Sequence, residues 1–211
     1  MHSIFIATNN THKVAEVRAI LGSTFQIFSQ RDVAARLDVA EVGSTFEANA
    51  AIKALTWASY LHSDLCRPDF EWVMGDDSGL EVDALDGAPG IHSARFAAID
   101  SGITGNSPDP ANTAKLLRLM ERVPPTHRTA RFRCAIALVP ATTPCHDAIQ
   151  FFSGSCEGRI RDTPAGQKGF GYDPVFIPEG QSLSFAELGE EFKNRLSHRA
   201  RALEAVRRFL F

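Results

Sequence analysis

Apolar positions open the chain as a short block, Ile4-Phe5-Ile6-Ala7, and then spread to helical spacing at Val14, Val17, Ile20 and Leu21, closed by Gly22. That change of period predicts strand, turn and helix, the opening of an α/β protein. A second apolar stretch at Phe25 to Phe28 predicts a strand, and the helical spacing from Phe46 to about Leu61 predicts a long helix. Trp72 to Gly75 and Leu80 to Leu85 read as two strands joined by a turn at Asp76-Asp77-Ser78-Gly79, with Gly79 supplying the turn's freedom. Asp109 to Met120 reads as a helix with Asp109-Pro110 at its cap and first turn, well away from the candidate motifs. Two β-rich stretches, Thr129 to Val139 and Ala148 to Ser155, predict an antiparallel pair and so a mixed sheet. A closing helix runs from Ser197 to Phe209, with Ala202, Ala205, Val206 and Phe209 on one face. No repeat, low-complexity tract or linker divides the chain, so residues 1–211 are expected to form one domain.

Composition narrows the function classes. With 211 residues and 44% hydrophobic content the chain can build a sizeable core. A net charge of -3 offers no global attraction to a polyanion, so nucleic acid is not expected as a partner and phosphate groups must be met by local clusters. The opening apolar block is too short, and too soon followed by Asn9 and Asn10, for a signal peptide or membrane span, so a cytoplasmic location is expected. Cys66, Cys134, Cys145 and Cys156 form no CxxC pair, which fits reduced thiols, and Cys145-His146 lacks the second ligand pair of a zinc site.

Five clusters carry candidate chemistry. Thr8-Asn9-Asn10-Thr11-His12-Lys13 stands where the first strand hands over to the first helix. Helix N-terminal amides attract anions there, although Asn or Thr can also simply cap the helix. Lys13 in the first turn opposes the helix dipole unless an anion lies nearby. In Asp76-Asp77-Ser78-Gly79 adjacent strand side chains point to opposite faces, so one carboxylate enters a given site, to bridge a metal or activate water. The alternative is ordinary turn chemistry.

Lys53 falls on the otherwise apolar stripe of Phe46 and Trp57, where it either snorkels or reaches a phosphate. Gly169-Phe170-Gly171-Tyr172-Asp173-Pro174 presents two rings and a carboxylate on a flexible turn, suited to a nucleobase or to core packing. Lys193, Arg195, Ser197, His198 and Arg199 form a basic cluster in which His198 and Arg199 sit at the wrong helix end for cations. An anion or a base carbonyl accounts for them, as does a solvated basic face.

In this order the clusters resemble the inosine/xanthosine triphosphate pyrophosphatase family. The T-x-N-x-x-K opening is Thr8, Asn10 and Lys13, and the TF..NA..KA helix is Thr45-Phe46, Asn49-Ala50 and Lys53-Ala54. DDSGL.VD.L.GAPG..SAR runs from Asp76 to Arg95, GFGYDP.F from Gly169 to Phe176, and SHR is Ser197 to Arg199. The resemblance implies an elongated α/β fold, a mixed sheet flanked by helices in two lobes with a nucleotide cleft between them, and a homodimer. It also implies Mg²⁺-assisted hydrolysis of deaminated purine nucleoside triphosphates (ITP, dITP, XTP) to monophosphate and pyrophosphate. Asp77 would be the catalytic residue and metal ligand. Thr8, Asn9, Asn10, Lys13, Lys53 and Ser78 would bind substrate, with Phe170, Gly171, Tyr172, Asp173, Lys193, His198 and Arg199 shaping the purine and sugar site. Where the family often carries a metal-binding Glu this chain has Ala40 with Glu41 beside it, and the family's FxENA is here Phe46-Glu47-Ala48-Asn49-Ala50; Glu41 or Glu47 would substitute as the second metal contact, or waters would complete the magnesium shell. A related pyrophosphatase acting on modified pyrimidine triphosphates, or a nucleotide-binding module without turnover, is the alternative.

Overall fold

The structure, a computed structural model, describes residues 2–33, 35–63, 69–102 and 105–211. Cys66 lies outside the described residues. The elements are β1 (His2–Ile6), α1 (Thr11–Leu21), β2 (Phe25–Ser29), α2 (Phe46–Ser63), β3 (Trp72–Val82), α3 (Asp109–Leu119), β4 (Thr129–Pro140), β5 (Gln150–Ile160), β6 (Phe176–Pro178), α4 (Phe185–Leu188), α5 (Glu190–Leu196) and α6 (His198–Leu210). The sheet is six-stranded in the order β2-β1-β3-β4-β5-β6. β1 pairs parallel with β2 and β3, and β5 pairs antiparallel with β6, so the sheet is mixed.

By contact the chain forms two compact units, Met1–Asp77 with Cys134–Gly154 and Arg199–Phe211, and Ser78–Arg133 with Ser155–His198. Their segments interleave, and one boundary falls between Asp77 and Ser78 inside β3. That boundary lies within a paired strand, not in an exposed linker.

In the first unit the period of two along the strands sorts the side chains between two helical layers. Phe5, Val73, Ala137 and Val139 pack with Ala50, Ala54, Trp57 and Leu61 of α2. Ile4, Ile6, Met74, Ile136 and Leu138 pack with Val17 and Leu21 of α1 and with Ala202, Leu203 and Val206 of α6. α6 therefore buries Leu203, while Phe209, expected on its inner face, is half exposed. A Cβ placed on Gly75 would lie 2.0 Å from the carbonyl oxygen of Ala50, so only glycine lets α2 rest this close on β3.

Two sequence expectations need correction. β3 is one strand of 11 residues, with Asp76 to Gly79 inside it and no turn. The reason lies in the tertiary partners, because Lys13 and buried Arg199 reach Asp76, buried Lys53 reaches Asp77, and a buried polar run then remains compatible with extended backbone. β5 also continues to Ile160, five residues beyond the expected end.

The second unit has its own core of Leu80, Val82, Phe96, Leu116, Met120, Phe132, Tyr172, Phe176 and Phe185. Helix α3 is its hub. Asn112 accepts from the Ala97 amide (2.8 Å) and donates to the Ala94 carbonyl (3.1 Å), and the Lys115 ammonium donates to the Phe96 carbonyl (2.7 Å). Buried Arg128 donates to the carbonyls of Met120 (2.7 Å) and Val123 (2.9 Å), tying down the chain that follows α3.

Candidate functional site

Alternation along β3 directs the two neighbouring carboxylates to different layers of the first unit. Asp76 shares the face of Met74 and turns toward α1 and α6. Its Oδ1 lies 2.6 Å from Lys13 Nζ, and its Oδ2 accepts from Arg199 Nε at 2.8 Å. The Cys134 thiol also donates to Asp76 Oδ2 (3.4 Å). Arg199 in turn grips Glu16, one helical turn after Lys13. Burial opposes ionisation of Asp76, but Arg199 and Lys13 outweigh it and hold the carboxyl well below the usual range. Burial works against the Arg199 charge as well, and Asp76 and Glu16 overcome it. Burial and the neighbouring Asp76 charge push the Cys134 thiol well above its ordinary value, so it stays protonated.

Asp77 shares the face of Val73 and Gly75 and meets α2. Lys53 Nζ lies 2.9 Å from Asp77 Oδ1 and 3.2 Å from Glu41 Oε1, and Asn49 donates to Asp77 Oδ2 (3.2 Å). Lys53 is thus buried because two carboxylates accompany it, rather than through snorkelling. Burial raises the Asp77 carboxyl above its ordinary value and Glu41 adds to the rise, while Lys53 and Lys13 oppose it. Lys53 is held above the ordinary lysine value, since Asp77 and Glu41 prevail over its burial.

At the start of α1 the capping and phosphate readings meet. Asn10 Oδ1 accepts from the amides of His12 (2.9 Å) and Lys13 (3.2 Å), and Thr8 Oγ1 accepts from the Asn10 amide (3.2 Å). Asn10 is therefore the N-cap, and the anion beside Lys13 is Asp76. Asn9 is exposed. Arg199, expected either at a ligand or on a solvated face, is 1% exposed and enclosed by Asp76 and Glu16.

In the second unit Asp173, 1% exposed, organises the glycine-rich turn. Its Oδ2 accepts from the Phe170 amide (2.9 Å) and from Lys193 Nζ (2.6 Å). Lys193 Nζ also stands 4.3 Å from the centre of the Phe170 ring. Gly169 has φ 78°, and a Cβ there would lie 2.2 Å from Asp173 Oδ2, so this carboxylate clamp requires glycine. Tyr172 donates its hydroxyl to the Ser93 carbonyl (2.9 Å), and the His198 ring stacks on Phe132 at 4.9 Å. Ser78 is half buried in β3.

The expectation that α3 lies away from the motifs is corrected here. Asp109 does not cap its own helix; its Oδ2 accepts from the Gly171 amide at 2.6 Å. Sequence reading also missed Glu16 and Asn49. A carboxylate between Val14 and Val17 on a buried stripe was the signal for the first, and an amide on the stripe of Phe46 and Lys53 for the second.

Among the described residues no group of three or more His, Cys, Asp or Glu side chains is arranged to hold a metal ion. Cys134 and Cys156 are buried free thiols, and Cys145 is an exposed one. No described helix is long and apolar enough to cross a membrane.

The sequence model of the Ham1 family matches residues 4–209. The chain belongs to the Ham1 family. Among its Ham1 relatives, the dITP/XTP pyrophosphatase of Porphyromonas gingivalis is 44% identical over 210 residues, covering 100% of this chain and 98% of that protein. That of Halalkalibacterium halodurans is also 44% identical, over the full length of both. A solved HAM1 protein from Coxiella burnetii superposes with a TM-score of 0.81 at 34% identity, over 100% of this chain and 98% of that one. The Ham1 protein of Staphylococcus aureus gives 0.78 at 36% identity, over 99% and 97%.

Proposed function

We propose that this Ham1 protein hydrolyses deaminated purine nucleoside triphosphates, of the dITP and XTP type, to the monophosphate and pyrophosphate. Residues 1–211 act as one cytoplasmic enzyme that works as a homodimer. The relatives' names and their full-length similarity support the substrate class. The observation that carries the chemistry is Asp77, a buried carboxylate raised above its ordinary value and flanked by Lys53 and Glu41.

A magnesium ion suits the residues present. Mg²⁺ is commonly held by one or two carboxylates, with substrate phosphates and water filling its shell, and Asp77 and Glu41 already converge on the single Lys53 ammonium. When bound, the ion neutralises phosphate charge. Asp77 accepts the proton of the attacking water. The water oxygen bonds to the α-phosphorus, the bond from that phosphorus to the β-phosphate bridging oxygen breaks, and pyrophosphate leaves with the bond's electrons. Lys53 keeps its charge beside Asp77, and Lys13, with Thr8 and Asn10 around it, offsets charge on the phosphates. Arg199 fixes Asp76, which presents Lys13.

Base selection falls to the Phe170 turn. The ring offers a stacking face, and Lys193, paired with Asp173 beside it, brings a positive charge that suits a 6-oxo acceptor better than an adenine amino donor.

The test is pyrophosphate release from ITP, XTP, dITP, GTP, ATP and dUTP, with magnesium and with EDTA. Magnesium-dependent turnover of ITP and XTP above GTP and ATP is expected, and turnover confined to dUTP would favour the pyrimidine reading. Asp77→Asn should lower kcat by about 10²-fold or more in protein that is still folded, as loss of a general base does. A fully active Asp77→Asn would remove Asp77 from the mechanism.

A further inference from the structure

We propose that Asp109, which lies outside every motif, is a positioning residue for base selection: its carboxylate holds Gly171 and thereby sets the Phe170 ring. The inference rests on the reading that the Phe170 turn receives the base.

The turn is intrinsically loose. Gly169 and Gly171 both occupy left-handed backbone, with φ of 78° and 61°, and glycine there leaves the chain free to move to other conformations at little cost. On the side of α3 the turn faces open space. A cavity of about 380 Å³ lies there, between Pro110, Ala114 and Leu117 on the helix and Phe170 and Pro174 on the turn.

Hydrogen bonds hold the turn. On one side Asp173 takes the Phe170 amide, with Lys193 behind it. On the other side Asp109 Oδ2 takes the Gly171 amide at 2.6 Å, the short distance of a charge-assisted bond. Thr113, one helical turn further on, points its hydroxyl at the Gly171 carbonyl at 3.4 Å. The peptide that follows Phe170 is thus held at both its flanking residues. Asp109 is the first residue of α3, and its carboxylate is not engaged as a helix cap. The same helix ties down residues 94 to 97 through Asn112 and Lys115, so α3 is a rigid base from which to hold the turn.

Asp109→Ala should therefore raise KM for ITP and cut the ITP over GTP ratio of kcat/KM by about tenfold, the scale of one hydrogen bond to a charged group. Asp109→Asn retains a carbonyl acceptor and should recover most of that ratio. A ratio of two substrates is independent of how much enzyme is folded, so a merely structural role would leave it unmoved. Phe170→Ala is measured alongside. If Phe170→Ala alters KM and selectivity while Asp109→Ala does not, the proposal for Asp109 is overturned and the base reading stands. If neither variant alters them, the base reading falls and the proposal with it. An Asp109→Asn no better than Asp109→Ala would overturn the hydrogen bond as the cause. Should Asp109→Ala not be recovered folded, Asp109→Leu, which has bulk without an acceptor, decides in its place by the same ratio.

Discussion

Replacing Arg199 with methionine removes the cation that joins two buried carboxylates while keeping most of the side-chain volume. In the native protein the guanidinium meets both oxygens of Asp76, at 2.8 and 3.3 Å, and also grips Glu16. The side chains of Asp76 and Glu16 are 0% and 10% exposed. Breaking a buried pair by deleting one partner costs about 3–5 kcal/mol, because the remaining charge stays desolvated. Lys13 remains 2.6 Å from Asp76, which places the expected loss near the lower end, about 3 kcal/mol. For a chain of this size that corresponds to a fall in Tm of roughly 6–12 °C.

The sign of the pH dependence follows from Asp76. Its folded pKa is depressed, so the stability it contributes is present above the unfolded carboxylate value of about 3.9 and is lost as pH falls toward the folded one. Without Arg199 the depression shrinks. The gap between native protein and variant should therefore be widest near neutrality and should narrow below about pH 4. Urea unfolding at pH 7 and at pH 3.5, with matched m-values, measures both quantities. Adding Glu16→Gln to the variant should return part of the loss. A loss under about 1 kcal/mol at pH 7, or a gap that widens on acidification, would refute the reasoning.

Gly75→Ala places a methyl 2.0 Å from the Ala50 carbonyl oxygen and 2.9 Å from the Ala54 amide nitrogen, backbone atoms that cannot swing aside. Overpacking should cost about 1–3 kcal/mol or more, and because Asn49 and Lys53 ride on the displaced α2, kcat should fall too; thermal melts and ITP turnover check both. Lys193→Met removes the ammonium 2.6 Å from Asp173, whose carboxylate clamps the Phe170 amide. KM for ITP should rise by more than kcat falls, and steady-state kinetics with equal effects on both would contradict a role in base binding.

Much was legible in the chain because it depends on local period. The alternation of Ile4, Phe5 and Ile6, the helical spacing from Phe46 to Leu61, and the placing of Asp76 and Asp77 on opposite faces of a strand all follow from backbone geometry. The motif order named the family and gathered most of the candidate site from short stretches of sequence. What the sequence could not supply was the identity of partners distant along the chain. Lys13 read as a cation awaiting an outside anion, Asp76 to Gly79 as a turn, and Arg199 as a ligand group or a solvated charge. Each reading changes once Asp76 is seen between α1 and α6. α3 does begin at Asp109, but local pattern has no means of showing that its carboxylate meets an amide 62 residues away rather than capping the helix. Periodicity determines which way a side chain points, since that is set within a few bonds. Only tertiary packing decides which charge or donor stands there to meet it, because desolvation makes the pairing obligatory without specifying where in the chain the partner lies.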